Sequence, residues 1–167
     1  RRITCHLLEQ GRTLPGFIGD ISYAQSNRER YEGFCQALAD AGKKVDSSLC
    51  LTTPLGIDTY REEIDTFLSS LSRMPDAFVC ASDYVACILM QLLEKRGLRV
   101  PEDVAVSGFD NNTEDLLAEH LTTVQVFNEE LGARLALQIL YRIKYPNTPH
   151  EITYLGTNVL YRDSTGD

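Results

Sequence analysis

Residues 98–111 read LRVPEDVAVSGFDN and contain a helix stop, a short strand and a polar loop in direct succession. Gly97 and Pro101 end the preceding helical segment, because glycine adopts the left-handed turn readily and proline cannot continue a helix. The apolar run 104–108 is typical of a strand that is covered on both faces. The pair Asp110-Asn111 follows at its carboxyl end. This order predicts an α/β fold with polar side chains at the tips of its strands.

The same unit recurs towards the amino terminus. Strand-like apolar runs at 15–19, 49–52 and 77–81 alternate with segments in which apolar residues return every three or four positions. Alternation of this kind is typical of parallel strands joined by helical crossovers. We therefore predict a parallel sheet flanked by helices on both faces.

Four predicted helices begin with a recognisable signal. Ser26 with Glu29, and Thr59 with Glu62, have the spacing of a capping box. Asp83 and Asn128 are good N-cap residues for the two later helices, the second of which runs through Ile143.

The two ends of the chain fit the same pattern. Residues 3–10 form a helical segment that Gly11 can stop. Residues 121–126 are typical of an extended segment, and 152–161 predict one or two final strands.

Composition narrows the class of protein. The 167 residues, 43% of them hydrophobic, suffice for a single α/β domain. The net charge is −8, so this chain is not expected to bind DNA by itself. The five cysteines form no CxxC pair and lie mostly in apolar runs, which favours reduced core residues in a cytoplasmic protein. No apolar run is long enough to predict a membrane span.

Polar residues follow three of the predicted strands, namely 20–23, Ser82-Asp83 and Asp110-Asn111. Because parallel strands point the same way, these loops must emerge at one edge of the sheet and can converge on one small molecule. Arg30, near the start of the next helix, lies on that edge. A guanidinium, carboxylates and short hydroxyl side chains match the donors and acceptors of a sugar. Asp20, Ser82 and Asp110 would supply such groups, while Tyr23 or Phe109 would cover the apolar face of the sugar.

Each of these residues also has a purely structural interpretation. Asp83 fits a helix cap better than a ligand contact, and Asp20 can simply terminate its strand. Asp110-Asn111 are common turn formers, and Arg30 can lie on a solvated helix face.

The chain carries little evidence for a cofactor, a metal or catalysis. Its glycines make neither a dinucleotide fingerprint nor a phosphate-binding loop. The three histidines are scattered without metal-ligand spacing, and no serine stands in a nucleophile elbow. We therefore expect no cofactor, no metal site and no enzymatic activity.

Residues 98–111 resemble a signature stretch of the LacI/GalR family of bacterial transcription regulators. Five further segments match the family in the right order, so the resemblance spans almost the whole chain from Pro15 onward. These segments are Gly19-Asp20, 30–38, 75–83 and, near the end, 121–124 with 161–165.

The resemblance implies a fold and a domain organisation. The implied fold is the type I periplasmic-binding-protein-like effector domain, in which two α/β lobes close on a small ligand. Residues 1–167 would form one effector-binding fragment, with 15–120 mostly in the carboxyl-terminal lobe. The helices in 1–14 and 126–145 would belong to an absent first lobe, and the DNA-binding head would also be absent.

The resemblance also implies site residues and partners. Arg30 matches the family arginine that hydrogen-bonds the effector, and Asp110 matches the carboxylate that accepts ligand hydroxyls. Ser82 stands where the family often has an asparagine that contacts ligand. The expected partners are a small-molecule effector, most readily a sugar, and a second copy of the chain in a homodimer. DNA would be bound only through the absent head.

Two other classes of protein stay open at this point. An exported sugar-transport receptor shares the two-lobe architecture, although the 98–111 stretch and the cysteines favour the regulator. An enzyme is the third class, and the scattered histidines disfavour it.

The long helix from Asn128 raises a packing problem. If its usual partner lobe is absent, Leu131, Leu135, Ile139 and Leu140 would be left exposed, and soluble proteins rarely tolerate such a patch. We expect the helix either to dock elsewhere on its own chain or to be covered by a second copy.

Overall fold

A computed structural model describes residues 1–56, 58–111 and 116–166. Its centre is a four-stranded parallel sheet in the order β2-β1-β3-β4. The strands are β1 (Pro15–Ile18), β2 (Cys50–Leu51), β3 (Ala77–Cys80) and β4 (Ala105–Ser107). The helices around it are α1 (Arg2–Glu9), α2 (Gln25–Asp40), α3 (Tyr60–Ser70) and α4 (Asp83–Lys95). The predicted α/β class with a parallel sheet is confirmed.

The helices cover both faces of the sheet, as predicted. On one face, α3 and α4 bury Ile64 and Leu89 in a cluster with Phe78. On the other face, α2 buries Phe34 against Phe17. Since neighbouring residues of a strand point to opposite faces, a strand covered twice must be apolar at every position. All four residues of β1 are buried.

The chain reverses its direction of travel across the sheet between β1 and β3. From β1 it crosses outward to β2, and from there it returns past β1 to β3 and β4. The loops after β1 and β3 therefore diverge to opposite sides and leave a crevice at the carboxyl ends of these strands. Such a switch point is where open parallel sheets bind their ligands.

Helix stops were predicted correctly, whereas the predicted helix starts need correction. Gly11, Gly42 and Gly97 all have positive φ just after a helix. The capping boxes predicted at Ser26 and Thr59 do not form, because neither helix has a side-chain cap hydrogen bond.

Near the starts of α2 and α3, other side chains form hydrogen bonds that are not helix caps. In α2 the Gln25 amide donates to Glu29 at 2.8 Å. Before α3, Glu63 accepts from the Gly56 amide at 3.0 Å. Ser82, and not Asp83, caps α4 by accepting from the Val85 amide at 3.3 Å. The cap position at the start of the last long helix is Phe127, and Asn128 is the first residue inside that helix.

A second, two-stranded sheet lies beside β4. Strand β5 (Thr123–Gln125) pairs antiparallel with β6 (Asn158–Leu160). Isolated bridges join Ser107 to Thr122 and Asp110 to Gln125, so β5 continues the main sheet past the tip of β4. The last part of the chain thereby reaches the predicted polar edge.

Helix α1 packs on the main sheet, contrary to the expectation that residues 1–14 belong to an absent lobe. Ile3 is 6% exposed and Leu7 is fully buried, in a cluster with Ala77 and Ala105. The small alanine side chains leave room for the apolar face of α1 on the sheet. In packing terms α1 is part of the same body as β1 to β4.

Helix α5 (Asn128–Lys144) has no buried residue. Leu135 is 57% exposed and Leu140 is 63% exposed. The expectation that this helix docks on its own chain is therefore wrong for the described residues. Its coverage by a second copy stays a prediction.

We predict that Gly19→Ala destabilises the fold, since a Cβ built at Gly19 lies 2.2 Å from the Cβ of Ala81. Overpacking of this kind costs about 1–3 kcal/mol. Chemical denaturation of the purified protein measures the loss in the free energy of unfolding. Gly156→Ala is the control, because a Cβ there meets nothing within 4 Å. Equal stability of the two variants would contradict the packing described for β1 and β3.

Candidate functional site

The loops that follow β1, β3 and β4 meet at one edge of the sheet, as the parallel register requires. The Ala81 amide donates to the Ile18 carbonyl at 2.8 Å, and the Asp83 amide donates to the Phe109 carbonyl at 2.8 Å. These bonds continue the strand ladder beyond its last residues and hold the three loops side by side. The predicted convergence of polar strand tips is confirmed.

Arg30 reaches this edge from the first turns of α2. Its Nη1 donates to the Ala81 carbonyl at 2.5 Å, and its Nη2 lies 3.6 Å from Oδ1 of Asp110. The guanidinium carbon lies 3.7 Å above the centre of the Phe109 ring, within cation–π range. Arg30 and Asp110, predicted from distant parts of the sequence, are thus in contact.

Partial burial sets the electrostatics of this pair. Burial lowers the pKa of Arg30, while Asp110 and Asp83 act in the opposite direction. Burial also raises the pKa of Asp110, against the effect of Arg30. Water has therefore been partly removed from both groups, which strengthens their attraction. The Asp110 side chain is still 43% exposed, so its carboxylate can accept further hydrogen bonds.

The Asp110 backbone is held in an unusual conformation. Asp110 has φ 112° and Asn111 has φ 53°, both in the left-handed half of the map. The Asp110 amide donates to the Val124 carbonyl at 3.0 Å, and the Asn111 amide donates to the Thr123 hydroxyl at 3.3 Å. Backbone strain of this kind persists only where the surroundings enforce it, and it is common at functional sites.

Arg162, near the end of the chain, also holds this loop. Its Nη2 donates to the Asn111 side chain at 2.9 Å, and its Nη1 donates to the carbonyls of Ala118 and Leu121 at 2.8 and 3.0 Å. This role of Arg162 was not predicted from the sequence. No local pattern could reveal it, because Arg162 and Asn111 are 51 residues apart.

Asp20 braces the loop that follows β1. Its Oδ1 accepts from the Ser22 amide at 2.7 Å, the Ser22 hydroxyl at 2.6 Å and the Tyr23 amide at 3.1 Å. The Leu55 amide donates to Oδ2 at 3.4 Å. Burial opposes ionisation, but these hydrogen bonds outweigh it and lower the pKa of Asp20. The geometry favours the structural interpretation of this residue.

Asp83 and Ser82 have structural partners as well. Asp83 is 2% exposed and accepts from the Thr123 hydroxyl at 2.6 Å, which links α4 to β5. Gly108 must lack a side chain beside it, since a Cβ there would lie 2.2 Å from Asp83 Oδ1. Ser82 caps α4, and its hydroxyl proton can still be donated.

Asn27 is a site residue that the sequence analysis missed. Its amide donates to the Asp20 carbonyl at 2.9 Å, and its Oδ1 accepts from Arg30 at 3.3 Å. It lies one turn before Arg30 on the same face of α2, and that spacing is the signal that could have revealed it.

Three further observations concern the described residues only. In that part of the chain, no group of three metal-ligating side chains comes together. All five cysteines are free thiols. No helix within the described ranges is both long enough and apolar enough to cross a membrane.

Comparison with known proteins gives a consistent result. The model of the periplasmic binding protein-like domain matches residues 4–165. The chain is 35% identical over 130 residues to the HTH-type transcriptional regulator DegA of Bacillus subtilis, an alignment that covers 77% of this chain and 38% of DegA.

Solved structures agree with these matches. A LacI-family regulator from Sanguibacter keddieii superposes with a TM-score of 0.85 at 27% identity, over 99% of this chain and 63% of that one. A complex of the regulator CelR with cellobiose superposes with a TM-score of 0.86 at 30% identity, over 96% of this chain and 49% of CelR. The chain spans between 38% and 49% of the length of the curated relatives it matches.

We predict that Asp20→Asn lowers the free energy of unfolding by about 1–2 kcal/mol at neutral pH, because an amide accepts these hydrogen bonds less well than a carboxylate. Since the pKa of Asp20 is lowered in the fold, its contribution is present above the ordinary value of 3.8 and is lost as the pH falls through the lowered pKa. Denaturation curves from pH 7 to pH 3 measure this. The difference between wild type and variant should shrink at acid pH.

Asp46→Asn is the matched control for this prediction. Asp46 accepts from the Ser48 amide and hydroxyl at 3.0 and 2.6 Å in the same kind of turn, but in an exposed position. Water can replace the hydrogen bonds of Asp46, so Asp46→Asn should lower the free energy of unfolding by less than Asp20→Asn does. If the Asp20 variant is no less stable than the Asp46 variant, the hydrogen bonds of Asp20 do not stabilise the loop after β1 as described.

Proposed function

This chain belongs to the periplasmic binding protein-like domain family, and on that premise we propose that it is the effector-sensing part of a LacI-type transcriptional regulator whose effector is a carbohydrate. The observation that carries the proposal is the contact between Arg30 and Asp110 at the switch point of the sheet. A neutral sugar offers hydroxyl groups that both donate and accept hydrogen bonds. A guanidinium beside a half-exposed carboxylate offers both kinds of partner.

Pre-organisation supports the binding role of this pair. Arg30 is anchored by the Ala81 carbonyl and by the Phe109 ring before any ligand arrives. Asp110 is held by its backbone bond to Val124. A ligand that meets side chains already in place does not bear the cost of ordering them.

The relatives support a regulator and, in one case, a sugar. DegA is named a transcriptional regulator, and the CelR structure contains cellobiose. These matches do not favour the transport receptor that the sequence analysis left open, and they favour a protein that senses rather than an enzyme. Ser82, Asp20 and Tyr23 are proposed as secondary contacts, with Ser82 donating through its free hydroxyl proton.

The rest of the regulator would lie outside this chain. We propose that a DNA-binding head and most of a first lobe precede it, since its curated relatives are at least twice as long. Helix α5 would pack in that first lobe, where its exposed leucines and isoleucines would be covered. The complete protein would act as a cytoplasmic homodimer in which effector binding shifts the population of lobe arrangements and thereby DNA affinity.

We predict that Asp110→Asn in the complete regulator weakens carbohydrate binding at least about tenfold, because the variant loses a charged acceptor beside Arg30. Isothermal titration calorimetry with cellobiose, lactose, maltose and ribose measures the effect. Arg28→Ala is the control, since Arg28 lies exposed on the same helix as Arg30. Unchanged affinity in the Asp110 variant, or binding of none of these sugars by the wild type, would contradict the proposal.

A further inference from the structure

Thr123 lies between the candidate site and the start of α4. It is the first residue of β5, it is fully buried, and it pairs with Leu160 of β6. Its hydroxyl donates to Oδ1 of Asp83 at 2.6 Å and accepts from the Asn111 amide at 3.3 Å. One buried hydroxyl therefore joins α4 to the residue that follows Asp110.

The outer partners fix the direction of these two hydrogen bonds. A carboxylate oxygen can only accept, so the hydroxyl proton of Thr123 points to Asp83. A backbone amide can only donate, so the N–H of Asn111 meets a lone pair of the same hydroxyl oxygen. Asp83 thereby determines that the hydroxyl presents an acceptor, and not its proton, to Asn111.

The residue type at position 123 suits this role. Valine has nearly the same shape as threonine and an equally high preference for strands. A buried hydroxyl lowers stability unless it finds hydrogen-bond partners. The fully buried position therefore indicates that the two hydrogen bonds, and not the packing of the side chain, are what this strand requires of Thr123.

The loop that Thr123 supports is strained and holds the candidate ligand group. Asp110 and Asn111 have φ values of 112° and 53°. Such conformations persist only while surrounding contacts enforce them. The Asp110 amide is held by the backbone carbonyl of Val124, whereas the Asn111 amide is held by the Thr123 side chain. A substitution at Thr123 can therefore release Asn111 while the backbone bond of Asp110 remains.

Asp83 holds the same loop at a second point. Its backbone amide donates to the Phe109 carbonyl at 2.8 Å. Its carboxylate lies so close to Gly108 that a Cβ there would be 2.2 Å from Oδ1. The loop from Gly108 to Asn111 is thus held between the first residue of α4 and the first residue of β5.

We propose that Thr123 is a positioning residue for effector binding. Its hydroxyl, oriented by Asp83, holds Asn111 in its left-handed conformation. The Asp110 carboxylate is thereby kept beside Arg30, where the effector meets both groups. This inference rests on the proposed function, because it assumes that Asp110 binds a carbohydrate.

The test measures sugar affinity in variants of the complete regulator. Thr123→Val removes the hydroxyl and keeps the shape of the side chain. By calorimetry, it should weaken the tightest-binding sugar among cellobiose, lactose, maltose and ribose by about five- to twentyfold, because the Asn111 amide loses its partner and the loop relaxes. Thr123→Ser keeps the hydroxyl and should bind the same sugar within about twofold of the wild type.

Ser164→Ala is the matched control for a purely structural effect. The Ser164 hydroxyl is also buried and also makes two hydrogen bonds, accepting from the Thr122 amide at 2.8 Å and donating to the Val106 carbonyl at 2.6 Å. Its loss should lower the midpoint of thermal unfolding about as much as Thr123→Val does, but leave the sugar affinity unchanged. Equal losses of affinity in the two variants would show a general effect of stability and would overturn the positioning role.

A double-variant cycle tests the part that Asp83 plays. If Asp83 acts through the Thr123 hydroxyl, Asp83→Asn should weaken sugar binding in the wild type and add little in Thr123→Val. Additive losses would show that Asp83 acts by another route and would overturn its orienting role.

The remaining outcomes separate this inference from the proposed function. Wild-type sugar affinity in Thr123→Val would overturn the positioning role while leaving the sugar-sensing function in place. Binding of no sugar in the panel by the wild type would overturn the proposed function, and the role of Thr123 in effector binding with it.

Discussion

The guanidinium of Arg30 connects the helix on one face of the sheet with the loops that follow β3 and β4. It satisfies the Ala81 carbonyl, pairs with Asp110 and stacks on Phe109. A strand-end carbonyl in this partly buried position needs a donor, and a partly buried carboxylate needs a positive partner. One side chain meets both needs, so the position of the 108–111 loop depends on a residue almost eighty positions earlier in the chain.

The site combines rigidity with unused bonding capacity. Asp110 is strained in its backbone and fixed by Val124, and its neighbour Asn111 is fixed by Thr123 and Arg162. The Asp110 carboxylate nevertheless stays 43% exposed. Binding constellations work best when supporting contacts fix them in this way before the ligand arrives. Structural partners of Asp20 and Asp83 complete the support from the loops on either side.

The backbone features that depend on a few neighbouring residues were predicted from the sequence. The continuous apolar run at 77–81 and the glycine stop at Gly97 reflect backbone chemistry that acts within a few residues. The meeting of Arg30 with Asp110 followed from a general property of parallel sheets. Prediction from the sequence failed where a side chain could choose among several partners, as at the capping boxes of Ser26 and Thr59. Ser82 caps α4 in place of the predicted Asp83, because the Ser82 hydroxyl is the acceptor within reach of the Val85 amide.

Helix α1 shows both what the sequence alone determined and what only the tertiary structure decided. Its helical period and its glycine stop are local, and the amino-acid order alone was enough to establish them. That its apolar face lies on Ala77 and Ala105 was settled by the shape of the assembled sheet, because small residues on two separate strands together make the groove it fills. The same holds for Arg162, whose hydrogen bonds reach Ala118, Leu121 and Asn111. Burial and long-range hydrogen bonds depend on which distant segments become neighbours, whereas strand and helix periodicity depends on residues a few positions apart.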